Sequence, residues 1–360
     1  MRSTRKLAAI VAVGVAATLM LSACTKKNEE AASTTSAAAS SGAASGASGA
    51  PADSSGAKVK VAFVPKLQGV PYFEAMNAGG KAAAEELGNV EWLYQGPTQA
   101  DAAAQADIVR SFIQQKFDTL IVAPNDPDSM APLLQQAKDA GIHVATADTD
   151  APTSVREAFV NQASVQGIGE GLTDALLTAM GGKGKYAIVS CGETAANLNA
   201  WIEVQKSYTA SKYPDAEIVS TVYAGEDQAK ATQMATDLMN ANPDLTGLVG
   251  ECTSSAPGVA QAVKDAGKIG QVFTVGLGTP QSMKPYLADG SSSAAILWDV
   301  QNLGYLTAWT GAQLAEDKTI EATNNVSAKL PAVEYDAATK TLLLGPALAI
   351  TKDNVDSFDY

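Results

Sequence analysis

Residues 59–94 read VKVAFVPKLQGVPYFEAMNAGGKAAAEELGNVEWLY, and this stretch decides the fold. Val59-Lys60-Val61-Ala62-Phe63-Val64 is a short run of β-branched and apolar residues, hence a strand. Tyr72 to Leu87 has helical periodicity and stops at Gly88; Val90 to Tyr94 is the next strand. The alternation continues outward with a helix over Asp101–Gln115, a buried strand over Thr119–Val122 and a helix from Ser129 to Ala140. Strands at Ile142–Thr146 and Ala158–Val160 follow. The pattern then restarts. Helices are expected at Val165–Met180, Asn197–Lys212, Gln228–Asn240 and Ala256–Ala266, alternating with strands at Tyr186–Ser190, Glu217–Tyr223, Leu245–Val249 and Val272–Val275. Such alternation predicts an α/β fold of parallel sheets with helices on both faces. The strands are too many for one open sheet, so two doubly wound lobes are expected.

Composition narrows the function. The chain has 360 residues, 25 Lys and Arg against 38 Asp and Glu, a formal charge of -13, and 46% hydrophobic residues. That apolar content supports a packed core and excludes global disorder. The acidic balance argues against nucleic acid, whose phosphates need clustered cations. One histidine and three cysteines leave no ordinary zinc site and no cofactor chemistry, and a triad only through His143. His143 lies inside the strand Ile142-His143-Val144 and reads as structural. Gly167-Ile168-Gly169-Glu170-Gly171 lies on a helix, and Gly182-Lys183-Gly184-Lys185 lacks the Ser or Thr of a phosphate loop. Asn125, Asp126 and Asp128 lack the calcium-loop spacing and read as a turn. Binding, not catalysis, is the expectation.

The first sixty residues form a separate region. Arg2, Arg5 and Lys6 precede an apolar run from Leu7 to Leu21, short of the ~20 residues a spanning helix needs. This is an export signal. Leu21-Ser22-Ala23-Cys24 resembles the lipobox of bacterial lipoproteins, which implies cleavage before Cys24 and lipid on that cysteine. A plain secretory signal with a chance cysteine is the alternative. Acyl chains would anchor the chain firmly, whereas its negative charge would not attract it to an anionic membrane. Residues 1–23 are thus the signal and 24–57 a tether, since Ala31 to Ala57 is nearly all Ala, Ser, Gly and Thr.

In open α/β sheets, ligands bind outside the carboxyl ends of the strands. Those positions hold Lys66 to Phe73, Asn125 to Asp128, Asp148 to Asp150, Cys191 to Asn199, Glu251 to Thr253 and Ile296 to Asp299. Aromatic faces stack on sugar C–H surfaces, and paired donors and acceptors fix hydroxyls. The mixture suits a small polyhydroxy ligand.

From Lys58 to Tyr360 the chain resembles periplasmic sugar-binding proteins of ribose-binding type, closest to the rhamnose- and autoinducer-2-binding branch. The resemblance is carried by Phe63-Val64-Pro65-Lys66, Pro71-Tyr72-Phe73, Ala147-Asp148-Thr149-Asp150 and Phe159-Val160-Asn161-Gln162-Ala163. Asn199-Ala200-Trp201, Met283-Lys284-Pro285-Tyr286 and Leu297-Trp298-Asp299 continue it in order. It implies a type I periplasmic binding fold with three hinge crossings, near Gln162, Asp299 and Asn324. The N-lobe would then be 58–161 plus 300–324, and the C-lobe 162–299 plus 325–360. A hairpin from Glu334-Tyr335-Asp336 to Leu342-Leu343-Leu344 reads as structural.

The same resemblance places ligand on Lys66 and Asp148. Asn197-Leu198 stands where the autoinducer branch has Asp-Gln, and Glu251-Cys252-Thr253 where it has Pro-Asp-Ala, so the particular ligand is left open. Ligand contacts are expected from Lys66, Tyr72, Phe73, Asp148, Asn197, Glu251, Thr253 and Asp299. Each has a structural alternative: core packing for Tyr72 or Phe73, an N-cap for Asn197, a solvent-facing position for Glu251. Asp150 reads as a cap, and Gln162 as bonded to hinge backbone. Cys191 and Cys252 follow strands that a doubly wound order sets side by side, so a disulfide near the ligand face is expected in an exported protein. The function implied is that of a monomeric, lipid-anchored binding protein of an ABC importer, exported to the outer face of the cell membrane. It would deliver a small carbohydrate or polyol to permease subunits by hinge closure. The alternative is an autoinducer-2-type signal binder or a sensor lipoprotein passing ligand to a receptor.

Overall fold

The computed structural model describes residues 58–360. The export signal, Cys24 and the tether lie outside the described residues.

Apolar strands and capped helices alternate as β1 (Val59–Val64), α1 (Pro71–Leu87), β2 (Val90–Tyr94), α2 (Ala102–Gln115), β3 (Thr119–Val122), α3 (Pro127–Asp139), β4 (His143–Ala147) and β5 (Ala158–Asn161). Pro71 opens α1, where its missing N–H costs nothing, and Gly88 closes it in the left-handed region. Asp101 and Asp126 cap α2 and α3 by accepting from Ala104 N at 2.7 Å and Ser129 N at 2.8 Å. β3 is buried along its whole length, as a central parallel strand covered on both faces must be.

The second series is α4 (Val165–Ala179), β6 (Gly184–Ser190), α5 (Ala196–Lys212), β7 (Ala216–Tyr223), α6 (Gln228–Ala241), β8 (Leu245–Gly250), α7 (Ser255–Asp265), β9 (Phe273–Gly276), α8 (Pro280–Asp289) and β10 (Ala294–Leu297). The chain finishes with α9 (Val300–Ala315), β11 (Thr323–Asn324), β12 (Val333–Asp336), β13 (Thr341–Leu343) and β14 (Leu348–Ile350).

These strands form two sheets. One runs β11-β12-β13-β5-β4-β3-β1-β2 and the other β14-β10-β9-β8-β6-β7. Both contain the same doubly wound order, with parallel pairing that reverses direction of winding between β1 and β3 and between β6 and β8. Crevices therefore open at the carboxyl ends of those two pairs.

The tail departs from expectation. The segment 325–343 was expected in the C-lobe, yet β12 and β13 extend the N-lobe sheet. β13 runs parallel beside β5 with Leu342 opposite Val160, and Leu342 is fully buried there. Phe159 N donates to Lys340 O at 2.8 Å and Leu344 N to Asn161 O at 2.9 Å. Burying the apolar face of the hairpin and pairing the edge of β5 explain its position. The sheets change over between β5 and α4, between β10 and α9, and between β13 and β14, so the third crossing lies at 344–347 instead of near Asn324. Gln162, at the first crossing, is fully buried and its side-chain amide makes no hydrogen bond among the described residues.

α9 returns from the second crossing to pack on α1. The two helices meet through glycine: a Cβ on Gly79 would lie 1.8 Å from Gln301 O, and one on Gly304 1.9 Å from Met76 O. This close approach holds α1 against α9, and α1 begins at the ligand face. Among the described residues no helix is long and apolar enough to cross a membrane.

Candidate functional site

Each predicted residue can now be placed by the element that carries it. Lys66 follows β1, and its backbone is held by Asn125 Nδ2, which donates to Lys66 O at 2.8 Å. Gln105 locks the same loop, donating to Pro65 O at 2.9 Å and Ala123 O at 2.8 Å. Asp148 follows β4 with a φ of 64°, a left-handed conformation that few side-chain-bearing residues adopt. Arg156 and Asp150 brace that turn, Arg156 Nη2 donating to Asp150 Oδ2 at 2.7 Å, while Thr146 Oγ1 donates to Asp150 Oδ1 at 2.7 Å. Asp150, expected as a cap, is thus half of an ion pair that steadies its neighbour.

The side chains converge. Lys66 Nζ lies 3.4 Å from Asp148 Oδ2 and donates to Asn197 Oδ1 at 3.0 Å. Tyr72 OH donates to Asp148 Oδ1 at 2.7 Å, and Thr149 Oγ1 donates to Asp148 Oδ2 at 3.1 Å. Trp298 Nε1 donates in turn to Tyr72 OH at 3.1 Å. Burial pushes the Tyr72 hydroxyl well above its ordinary range, and the Asp148 charge adds to that, so Tyr72 stays a donor. Asn197 is inside the first turn of α5, behind the cap position Ala195, and is a partner of Lys66.

Together these groups line a cavity between the carboxyl ends of both sheets. Its polar wall holds Lys66, Asp148, Asn197, Thr253 and Glu226. Its apolar wall includes Tyr72, Phe73, Trp201 and Trp298. The rings are arranged edge to face: Tyr72 meets Phe73 at 5.0 Å and 82°, and Trp298 at 5.9 Å and 89°. Contacts that join the lobes across the cavity include Lys66 to Asn197, Trp298 to Tyr72, and Thr194 Oγ1 to Asn125 O at 3.0 Å. The cleft is closed.

Two expected contacts are not in this wall. Glu251 is fully buried behind it, its Oε2 accepting from Gln205 Nε2 at 2.7 Å, while the chain turns after β8 so that Cys252 and Thr253 reach the cavity. Burial pushes its carboxyl up to about 8. A folded value above the ordinary carboxylate range means the neutral acid stabilises the fold, fully at pH below that range, with the benefit lost as pH rises through about 8. Wild type should therefore lose Tm between pH 5 and pH 9 in differential scanning calorimetry, and Glu251→Gln should flatten that fall. An unchanged slope would refute the neutral acid. Asp299 is likewise outside the cavity. It caps α9, accepting from Asn302 N at 2.9 Å and Asn302 Nδ2 at 2.9 Å.

Glu226, Trp201 and Trp298 line the cavity without having been singled out as ligand contacts. Glu226 stands three residues past β7, so the strand-end rule applied to every strand would have reached it. Cys191 and Cys252 are bonded, with Cα atoms 6.1 Å apart, within the range that disulfides span. The bond ties the loop after β6 to the loop after β8 at the edge of the cavity. With Glu226 these cysteines form a cluster of metal-ligand spacing, but the sulfurs are bonded to each other and offer no thiolate.

A closed interlobe cavity on two doubly wound sheets has known counterparts. The "Periplasmic binding protein domain" family matches residues 61–319. The chain belongs to that family. A D-ribose/D-allose-binding protein of Pseudomonas aeruginosa is 30% identical over 247 residues, 65% of this chain and 75% of the relative. LsrB from Clostridium saccharobutylicum, solved in complex with AI-2, superposes with a TM-score of 0.79 at 26% identity, covering 84% of this chain and all of that one. A solute-binding protein of an ABC transporter from Clostridium phytofermentas with bound L-rhamnose gives 0.78 at 26% identity, covering 83% and 98%. These relatives of the periplasmic binding protein family are solute-binding proteins, not enzymes.

Proposed function

We propose that the protein is a lipid-anchored substrate-binding protein of an ABC importer that captures a small sugar or polyol between its lobes by hinge closure. The observation carrying this reading is the closed cavity, in which a carboxylate, an ammonium and an amide from both lobes meet inside aromatic walls. Sugar rings offer apolar C–H faces to the aromatics and hydroxyls to Asp148, Lys66, Asn197 and Thr253. Ligand bound to one lobe gains contacts from the second only on closure, and that difference shifts the population to the closed form. The closed monomer is then the form offered to the permease subunits. Lipid anchoring at Cys24 rests on the residues of the signal alone.

Thermal-shift screening against D-ribose, D-allose, L-rhamnose, D-arabinose, xylitol and AI-2 tests the reading. At a hundredfold excess over Kd, a ligand adds about 2.7 kcal/mol to stability, a rise of several degrees in Tm. At least one sugar or polyol should give it; none doing so would sink the proposal. A shift with AI-2 alone would favour the second reading, a binder of that signal, for which the likeness to the AI-2 complex speaks.

A further inference from the structure

Glu226 has no role among the contacts described so far, yet it faces the cavity. Its Oε2 accepts from Ser254 Oγ at 3.1 Å and lies 3.5 Å from Cys252 Sγ, while Oε1 has no partner among the described residues. The sulfur belongs to a disulfide and carries no proton, so it solvates a carboxylate poorly and can only accept. Lys66 is the cation facing this wall, from the end of β1, and it is already held by Asp148 and Asn197. Asp148, from the end of β4, brings a second negative charge to the same cavity, and the Tyr72 hydroxyl is turned to Asp148. Closure thus brings two carboxyl groups, one from each lobe, into a space with one ammonium. Burial pushes the Glu226 carboxyl up, Lys66 and the Ser254 bond oppose this, and Asp148 reinforces it.

We infer that Glu226 is a specificity-determining ligand contact that acts as an uncharged acid, donating its carboxyl proton to a ligand oxygen when the lobes close. This rests on the sugar-binding reading. In the open cleft the carboxyl faces water and ionises normally, so closure on ligand takes up one proton. The proton completes the hydrogen-bond set of the C-lobe wall and removes the charge that opposes closure. The ligand class that follows is a neutral sugar with a hydroxyl or ring oxygen on the C-lobe side, not an acid sugar.

Isothermal titration of the full chain with whichever of D-ribose, D-allose and L-rhamnose gives the largest thermal shift tests this. Between pH 5.5 and pH 8, wild-type affinity should fall by up to about tenfold per pH unit, the slope of one proton. Two buffers of different ionisation heat should report proton uptake on binding. Glu226→Gln, which keeps a neutral donor, should hold the pH 5.5 affinity within about threefold and abolish both the slope and the uptake. Glu226→Ala should lose roughly tenfold at pH 5.5. Glu251→Gln, changed behind the wall, should keep the slope. A Gln variant as weak as the Ala variant, or a slope surviving in it, would overturn the inference while leaving sugar binding intact. So would tight binding of D-glucosamine that Glu226→Gln destroys, since Glu226 would then be an ionised partner of a cation. No binding by any of these sugars would remove the sugar reading and this inference with it.

Discussion

Replacing Asp148 with alanine should weaken ligand binding by about 2–5 kcal/mol, roughly thirtyfold to several thousandfold, measured by isothermal titration with the sugar of largest thermal shift. Asp148 accepts from Tyr72 OH and Thr149 Oγ1 and lies 3.4 Å from Lys66 Nζ, all in a nearly buried setting. Its removal deletes hydroxyl acceptors and leaves the Lys66 ammonium short of its counter-charge in a closed cavity. The backbone adds a second diagnostic. At φ 64° an alanine is strained, whereas glycine adopts that angle freely. Asp148→Gly should therefore be more stable than Asp148→Ala by up to about 1 kcal/mol, and yet bind no better. Strain held at this one residue, braced by the Asp150–Arg156 pair, is what a preorganised contact requires. Affinity within threefold of wild type in both variants would show that Asp148 serves the turn and not the ligand.

The sequence made the layout of this site readable to different depths. Strands buried on both faces, such as Thr119–Val122, are unbroken apolar runs, and several helices between them have ordinary caps, so the alternation from β1 to β9 reads to within about two residues, whereas α8 and β10 beyond it were not read. Lys66, Asp148 and Asn197 stand at strand ends or just beyond them, where topology alone sends ligand. What could not be read is direction. Glu251 and Thr253 are two residues apart after one strand, and only the turn that the chain makes past the end of β8 decides that Thr253 meets the cavity while Glu251 meets Gln205. Asp299 is an acceptor ahead of a helix that pattern reading did not reach, since α9 is buried on so many sides that its amphipathic period is lost. The third crossing escaped for a related reason. The hairpin's apolar residues say that it packs, and they do not say against which sheet. Long-range pairing with β5 settled that.

Gly304→Ala should cost about 2 kcal/mol or more of stability, several degrees of Tm, although alanine is the better helix former by about 1 kcal/mol. The added methyl would lie 1.9 Å from Met76 O, and the mirror contact at Gly79 is backbone as well, so no side chain can rotate away. The helices must separate. α1 carries Tyr72 and Phe73 at its start, and α9 begins just past Trp298, so separation pulls on the Tyr72–Trp298 bond across the cavity. Ligand affinity should accordingly fall together with stability, which a purely global loss would not produce at a temperature well below Tm. Gly171→Ala provides the control. It lies in α4 with the nearest atom to a new Cβ, on Ile296, at 3.7 Å, an ordinary contact, so that variant should gain up to about 1 kcal/mol and bind normally. Equal melting temperatures for the two variants in calorimetry would mean that the α1–α9 crossing yields easily, and the glycine pair would lose its place in positioning the aromatic wall.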